Sequence, residues 1–485
     1  MTSVVSKSLP ESAASPHAAQ TQASWLAQVL QETAARTGAR LGLLWIGLVA
    51  ILSIFSPFVA SSHPYLLSTN EPALVARYGR WSSPLLMNLT GSDVTLLSLA
   101  IAALILWRAP RLKTSHKFHL FLATFCVVLP LAYWKSIAAL LGGSRGASAF
   151  DSGAGLRLPL ICLILVSLLL VFLGLVAIFR YSGVARRVKA RLLVCLAVIA
   201  IAMIVFPVNP PSLANFSEYR EAQAAGRVGF ILRAPIAYSP SDRLRDQFDP
   251  DHPHPWAPSR AHPLGTERNG ADILSRMMHA SRIAMSIGFI ATGIAIVIGS
   301  FVGGLMGYFV GWVDLIGMRI VEIFSSIPTI YLLLAFVAFF ERNLYMMMVI
   351  IGLTTWVGDA RFVRAEFLRL RGQDFVLAAR AAGLPLRSIL FRHILPNAMA
   401  PLLVSASFGI ASAILFESTL SFLGLGLVDE PSWGQLLNEA VSESGGFHWW
   451  LATFPGIAIF LTVFAYNLIG EALRDALDPK LKGVD

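Results

Sequence analysis

Four basic side chains lie close together in residues 374–401, between two long apolar segments: Arg380, Arg387, Arg392 and His393. An arginine near the middle of a bilayer costs roughly 3 kcal/mol or more, so this stretch is predicted to lie in water beside a membrane. Guanidinium groups can meet the acidic or carbonyl groups of another protein. The stretch is therefore predicted to be a contact surface for a second protein.

The local sequence divides this stretch into two short helices. Alanine and leucine favour a helix that ends at Gly383, because glycine is a good left-handed cap. A second helix is expected from about Leu386 to Leu395, and Pro396 then opens the next apolar segment. The first helix has a smooth surface that can enter a partner's groove, formed by Ala378, Ala379, Ala381 and Ala382.

One carboxylate, Glu417, directly follows the apolar run 411–416 at the end of a predicted span. Burying a carboxylate in a membrane is costly, so such a residue is a functional-site hypothesis. We assign Glu417 to the translocation path. The alternative is that Glu417 lies at the headgroup level and is hydrated.

The sequence lacks the motifs of self-sufficient catalysis: G-x-x-x-x-G-K-[ST], G-x-S-x-G and H-E-x-x-H. We therefore expect a non-catalytic chain without a cofactor, whose energy comes from a partner. One polar loop holds several potential metal ligands: His252, His254, His262, Asp249 and Asp251. Such residues among prolines are more often solvated, and no metal site is predicted.

The composition indicates a membrane protein. Hydrophobic residues make up 56% of the 485 residues and charged residues only 14%, too few to cover a soluble surface. The net charge is +10, but the arginines cluster in short loops, which is typical of membrane orientation and not of nucleic-acid binding. The three cysteines, which all lie in apolar runs, offer no disulfide framework.

Ten apolar segments could span a bilayer: 41–60, 92–107, 118–141, 158–179, 191–207, 284–309, 320–340, 344–359, 397–416 and 451–471. The basic loops 108–117 and 180–191 belong inside the cell, which places both termini inside as well. Two arginines do not fit this orientation, because Arg276 and Arg282 then flank a span on the outer side. No internal repeat is evident, which disfavours a secondary transporter built from two related halves.

Four glycines follow one another at four-residue spacing in the segment 284–311: Gly299, Gly303, Gly307 and Gly311. They share one helix face, and small residues there let a second helix approach closely. The alternative is the ordinary tolerance of membrane helices for glycine. We predict a close helix–helix contact on this face.

Several stretches together resemble the permeases of binding-protein-dependent ABC importers. Ala378-Ala379-x-x-x-Gly383 with Leu395-Pro396 is similar to their EAA loop, although Leu377 replaces its usual Glu and His393 its usual Ile. Four further stretches resemble the dipeptide/oligopeptide branch of these permeases: 262–276, 307–319, 418–434 and 469–479. Glu267 and Ala271 depart from that pattern. The stretches at 63–67, 76–81 and 83–88 resemble the microcin C/oligopeptide permeases.

The resemblance implies an all-α polytopic membrane protein with the six-span core of a type I ABC importer permease and about four extra spans after the first. It implies half of a translocation pathway for peptides or peptide-like compounds in a bacterial inner membrane. The implied partners are a second permease subunit, two cytosolic ABC ATPase subunits, a periplasmic solute-binding protein and membrane lipid. The competing interpretation is a self-sufficient secondary transporter or membrane receptor.

The apolar segments and the resemblance together predict how the chain is divided into tails, spans and loops. A cytosolic tail with an amphipathic helix occupies 1–40, and the first span with an outer loop occupies 41–91. The inserted spans occupy 92–207 and a periplasmic loop 208–282. The permease core runs over 283–471 with a coupling loop at 361–396, and 472–485 form a cytosolic tail.

Overall fold

The computed structural model describes residues 25–108, 117, 120–128, 216–247, 254–340, 342–427, 430–441 and 447–477. The first part holds α1 (Trp25–Ala35), α2 (Thr37–Val59), β1 (Leu66–Thr69), α3 (Pro72–Tyr78), β2 (Trp81–Ser82), α4 (Pro84–Met87) and α5 (Gly91–Trp107). The second part begins with α6 (Ser217–Ala224), β3 (Val228–Leu232) and a 3-10 turn at Arg245–Gln247. It continues with α7 (Ile273–Phe309), α8 (Trp312–Ser326), α9 (Thr329–Phe339), α10 (Leu344–Leu370), α11 (Asp374–Ala381), α12 (Leu386–Ser388), a π-helix at Ile389–Ile394, α13 (Leu395–Phe422), α14 (Trp433–Val441) and α15 (Trp449–Leu477).

Five of these helices are long and apolar enough to cross a membrane, namely α2, α7, α10, α15 and the Pro401–Phe422 part of α13. The pair α8 and α9 makes a sixth crossing if the two are counted as one broken span. Their outer faces expose large apolar side chains such as Leu44, Phe301 and Phe339, as lipid contact requires. The prediction of an all-α polytopic membrane protein is confirmed, and the six predicted core spans correspond to these crossings.

The span predicted as continuous over 320–340 is broken. Helices α8 and α9 meet at an angle of 83°. Ile327 lies between them in an extended conformation (φ −96°, ψ 123°) and Pro328 follows. A residue before proline is pushed out of the helical region by the proline ring, and this explains the break.

Helices α7 and α10 form the closest contact between spans. A Cβ atom on Gly303 would lie 2.3 Å from the carbonyl oxygen of Ala360, and one on Gly307 would lie 2.5 Å from the carbonyl oxygen of Arg364. Gly299 lies equally close to α10. Gly311 does not take part, because α7 ends at Phe309 and Gly311 turns the chain into α8 with φ +60°.

A three-stranded antiparallel sheet of order β2-β1-β3 lies at one end of the bundle, which we call the sheet end. In β1, Leu67 pairs with Ser82 on one side and with Ile231 on the other. Leu67 and Leu74 pack with Tyr219 and Ala222 beneath the sheet. The segments before and after the predicted insertion are thus joined directly, which the sequence did not predict. The opposite end, which carries residues 371–395, is called the loop end.

Only part of the predicted insertion falls on described residues. Its first span corresponds to α5, which begins at a capping box: the Thr90 hydroxyl accepts from the Asp93 backbone N–H, and the Asp93 carboxylate accepts from the Thr90 N–H. The predicted spans 158–179 and 191–207 and the start and end of 118–141 lie outside the described residues.

The predicted N-terminal amphipathic helix corresponds to α1. Val29 of α1 is buried against Leu473 and Ala476 of α15, and Arg36 forms an ion pair with Asp475. This helix therefore packs on the last span of the protein, in addition to any contact with lipid.

Candidate functional site

The loop-end stretch begins with α11, which ends as its sequence predicts. Gly383 adopts φ +69°, a conformation that glycine reaches without strain. Two backbone bonds close the end, from the Gly383 N–H to the Arg380 carbonyl (2.9 Å) and from the Leu384 N–H to the Ala379 carbonyl (3.1 Å). The chain therefore reverses its direction tightly at the C-terminal end of α11.

Helix α11 has one face on the protein and one face in solvent. Val376 and Ala379 are buried in a cluster with Phe367, Leu370 and Ile389. On the other face, the exposed residues are Leu377, Ala378, Ala381, Ala382 and Leu384. The inclusion of Ala379 in the predicted docking surface is therefore corrected: its methyl group packs inward because α11 must bury an apolar side to stay on the bundle.

Arg380 and Arg371 fasten this loop to the end of α7. The Arg380 guanidinium lies over the Tyr308 ring, 4.9 Å from its centroid. Arg371 donates to the Tyr308 carbonyl at 3.2 Å. Arg364 forms a two-point ion pair with Asp314 of α8, one bond of which measures 2.6 Å. The loop end is thus tied to α7, α8 and α10 together.

The second half of the stretch differs from the single helix predicted over 386–395. A short turn, α12, leads into the π-helix, and α13 begins at Leu395 without a gap. Pro396 has no N–H to offer the carbonyl four residues before it, which disturbs the α-helical pattern there. Arg387 and Arg392 are exposed, and neither forms an ion pair with the described acidic residues. Leu395 is half-buried against the cluster beneath α11, and Pro396 is exposed.

A cavity of about 490 Å³ lies between the spans. Helices α7, α10 and α13 and the break between α8 and α9 form its walls. Along α13 it extends from Ser405 to Phe416, which is about 16 Å at the rise of an α-helix. The break at Ile327-Pro328 lines one side of this space.

Asp359 of α10 is the charged residue among the side chains that line this cavity. One of its oxygens accepts from the Ser405 hydroxyl at 2.5 Å. Sequence analysis missed Asp359, although an acid in the apolar run Trp356-Val-Gly-Asp-Ala is a visible signal. Asp359 is the last residue of the predicted span 344–359, and its place at the span end, two residues before Arg361, weakens this signal.

Glu417, predicted to lie on the translocation path, is enclosed instead. Its side chain is 1% exposed and does not line the cavity. The Ser421 hydroxyl donates to it at 2.7 Å, and Ser418 and Ser432 are further hydrogen-bond partners. Ser432 directly precedes α14, so the carboxylate joins the end of α13 to α14. The alternative of a hydrated Glu417 at the headgroup level also fails, because the side chain is buried.

The stretch 262–276 builds the start of α7 at the sheet end. His262 bonds to Asp272 at 2.8 Å, and Asp272 caps α7 by accepting from the Ser275 N–H at 2.8 Å. His254 contacts Thr266 at 3.2 Å. The described residues include no group of three or more potential metal ligands, and the other candidates, His252, Asp249 and Asp251, lie outside them.

Glu267 is a fully buried acid in the same stretch. Burial raises the pKa of Glu267 to about 8, and the nearby Glu439 carboxyl of α14 adds to the increase. Arg276 lies 2.8 Å from Glu267 and lowers that pKa, as does Arg243, but burial outweighs both. The stretch 262–276 and α14 therefore share a buried acid pair.

The two arginines that disagreed with the predicted orientation are both bonded to acidic side chains. Arg276 donates to the Glu267 carboxyl at 2.8 Å, and Arg282 forms an ion pair with Asp93 of α5. Arg282 also donates to the Ser53 carbonyl of α2 at 3.2 Å. A guanidinium held by such hydrogen bonds can remain near a membrane surface, so these residues do not exclude the orientation that the other basic loops predict.

Residues 282–483, which contain both the loop and the cavity, match the family of binding-protein-dependent transport system inner membrane components. The chain is 41% identical over 221 residues to the oligopeptide transport system permease protein OppC of Haemophilus influenzae, covering 45% of this chain and 70% of that protein. It is 36% identical over 245 residues to the dipeptide transport system permease protein DppC of Alkalihalophilus pseudofirmus, covering 50% and 77%. The inner membrane ABC transporter permease protein YejE of Escherichia coli is 36% identical over 271 residues, covering 55% and 78%.

Proposed function

The chain belongs to the family of binding-protein-dependent transport system inner membrane components, and from this premise we propose that it forms half of the translocation pathway of an ATP-driven importer of peptides or peptide-like compounds. As a member of that family it is a non-catalytic, multi-pass permease of the inner membrane. The second half of the pathway is a second permease subunit, and cytosolic ABC ATPase subunits hydrolyse ATP.

The exposed face of the loop-end stretch carries this proposal. Leu377, Leu384, Leu386 and Phe391 are 38–64% exposed there, beside the exposed Arg387 and Arg392. An apolar patch with a basic rim is typical of a protein-binding surface. A complementary ATPase partner would have an apolar groove with an acidic rim. Ala378, Gly383 and the neighbouring alanines let that groove approach the backbone closely.

The packing of the loop explains how a partner's motion reaches the cavity. Val376 and Ala379 fix α11 to α10, and the π-helix continues directly into α13. Helices α10 and α13 also supply the cavity wall that holds Asp359 and Ser405. A push on the loop therefore moves the cavity wall, and two ATPase states can select inward- and outward-facing forms of it.

The sheet end is proposed to face the periplasm and to receive the solute-binding protein. Both chain termini then lie in the cytosol, as the basic loops require. The sheet joins the segments on either side of the insertion, which supports the proposal that residues 92–207 were added to a six-span core without dividing its outer platform.

Ala378→Glu tests the proposed docking surface. The added carboxylate would be buried unpaired in the interface, and we expect roughly tenfold or greater loss of ATPase co-purification with the complex. Ala73→Glu is the matched control, because Ala73 is an exposed alanine of α3 at the sheet end. The control is expected to retain the ATPase. Retention of the ATPase and of its stimulated turnover by Ala378→Glu would contradict the proposal.

A further inference from the structure

The cavity beside the broken span has a chemical character that selects one class of ligand. Its hydroxyl groups include Thr354, Thr355 and Ser412, which all donate their proton to a carbonyl of their own helix at 2.8–3.0 Å. A hydroxyl that has used its proton can only accept a further hydrogen bond. These side chains therefore present acceptor oxygens to anything inside the cavity.

Asp359 adds a negative charge to this acceptor lining. Its hydrogen bond from Ser405 engages one oxygen, and no described residue donates to the other. No described lysine, arginine or histidine lies within 4 Å of its carboxylate. The guanidinium that reaches the cavity lining, Arg361, is bonded to the Ser325 hydroxyl. The carboxylate thus lies between membrane spans without a compensating cation among the described residues, and a bound cation would stabilise its ionised form.

Thr292 of α7 is a second, independent sign of a ligand. Its side chain lines the cavity and the residue is 5% exposed, yet its hydroxyl has no hydrogen-bond partner. Buried hydroxyls without a partner are uncommon because each has lost its hydrogen bonds to water without a replacement. A hydrogen-bond donor or acceptor on a ligand at this wall of the cavity would satisfy the hydroxyl.

A primary ammonium group matches these features. It carries one positive charge and three N–H donors and has no acceptor, whereas the lining offers a carboxylate and several acceptor oxygens. A carboxylate or phosphate ligand would meet Asp359 and acceptor oxygens, while the Arg361 guanidinium at the lining is bonded to Ser325. The lining therefore favours cations and disfavours anions.

We propose that this cavity is a transit site for the ammonium group of the transported solute, and that Asp359 contacts that group as the solute passes. For a peptide, this is the amino terminus or a lysine side chain. The inference rests on the proposed importer function and adds to it the chemical group that this half of the pathway recognises.

Asp359→Asn in the complete transporter is the first test. We expect roughly tenfold slower uptake of tri-alanine, since a charge-assisted hydrogen bond is lost, while ATP turnover stimulated by the loaded binding protein stays within about twofold of wild type. Asp359→Glu should recover most of the uptake. Asp475→Asn removes a carboxylate far from the cavity, on the loop end of α15, and should leave both readouts unchanged.

Two outcomes of this test would overturn the inference. One is uptake at the wild-type rate by Asp359→Asn. The other is parallel loss of uptake and of stimulated ATP turnover, which would indicate a role in the structure alone. Failure of the proposed function is distinguishable, because then the wild-type complex itself would show no ATP-dependent uptake.

A zero-length carbodiimide cross-link tests the contact without any transport. Tri-alanine added to the detergent-solubilised complex should form an amide with the Asp359 carboxyl, detected by mass spectrometry and absent from Asp359→Asn. N-acetyl-tri-alanine should give no adduct, and N-acetyl-Ala-Lys-Ala shows whether a lysine side chain can replace the amino terminus. Adducts at surface carboxylates with none at Asp359 would refute the assignment.

Discussion

Single acidic residues in this chain differ in what compensates their charge. Asp93 and Asp314 each face an arginine, and Glu417 is surrounded by serine hydroxyls. Asp359 has a single hydroxyl partner, and Glu267 is a buried acid that lies next to a second carboxyl as well as to Arg276. The carboxylates of Asp93, Asp314 and Glu417 are satisfied by fixed partners within the fold. Asp359 and Glu267 lack such full compensation, so their charge or their bound proton can change.

Glu267 should make the stability of the sheet end depend on pH. The pKa of Glu267 is about 8 in the folded protein, whereas its ordinary value is 4.5. Between these two pH values the folded state keeps a proton that the unfolded state has released. The contribution of this protonated carboxyl is fully present below pH 4.5 and is lost as pH rises through about 8. Glu267→Gln removes this dependence.

Thermal unfolding of the detergent-solubilised protein between pH 5 and pH 9 measures this effect. We expect wild type to lose stability with rising pH relative to Glu267→Gln, and the two to differ most at the alkaline end. Equal pH slopes for the two proteins would show that Glu267 is ionised in the folded state throughout this range.

Among the helices, the contact between α7 and α10 and the break between α8 and α9 determine the shape of the membrane part. The glycine spacing predicted a close contact on α7, and Gly299, Gly303 and Gly307 lie against α10. The partner helix could not be predicted, because spacing on one helix carries no information about the other. The break at Ile327-Pro328 was predictable from proline chemistry, but mean apolarity across 320–340 obscured it.

Gly303→Ala should weaken the contact between α7 and α10. The new methyl group would lie 2.3 Å from the Ala360 carbonyl oxygen, and backbone atoms cannot move aside without separating the helices. We expect a loss of thermal stability corresponding to about 1–3 kcal/mol. Gly293→Ala on the same helix is the matched control, because no atom lies within 4 Å of its new methyl group.

The control should be neutral or slightly stabilising, since alanine favours helices over glycine by up to about 1 kcal/mol. The comparison is made by measuring the melting temperatures of the two variants in the same detergent. Equal melting temperatures for Gly303→Ala and Gly293→Ala would mean that the two helices are not held at this distance in the membrane.

In the whole molecule, the spans and the loop-end stretch were predictable and the connections between distant segments were not. Apolar length predicted the crossings, and Gly383 predicted the end of α11. The sheet that joins β1 to β3 brings together residues more than 150 positions apart, and no local pattern encodes that pairing. The inward turn of Ala379 and the placement of Asp359 in a cavity likewise depend on which helices pack together.

Uptake into proteoliposomes measures whether ATP hydrolysis by a partner drives transport through this permease. The wild-type complex with the solute-binding protein outside and ATP inside should accumulate tri-alanine. Accumulation should cease when a non-hydrolysable ATP analogue replaces ATP, and a protonophore should not affect it. Accumulation by this chain without ATP, driven by a proton gradient and abolished by the protonophore, would rule out ATP-driven import and favour a self-sufficient secondary transporter.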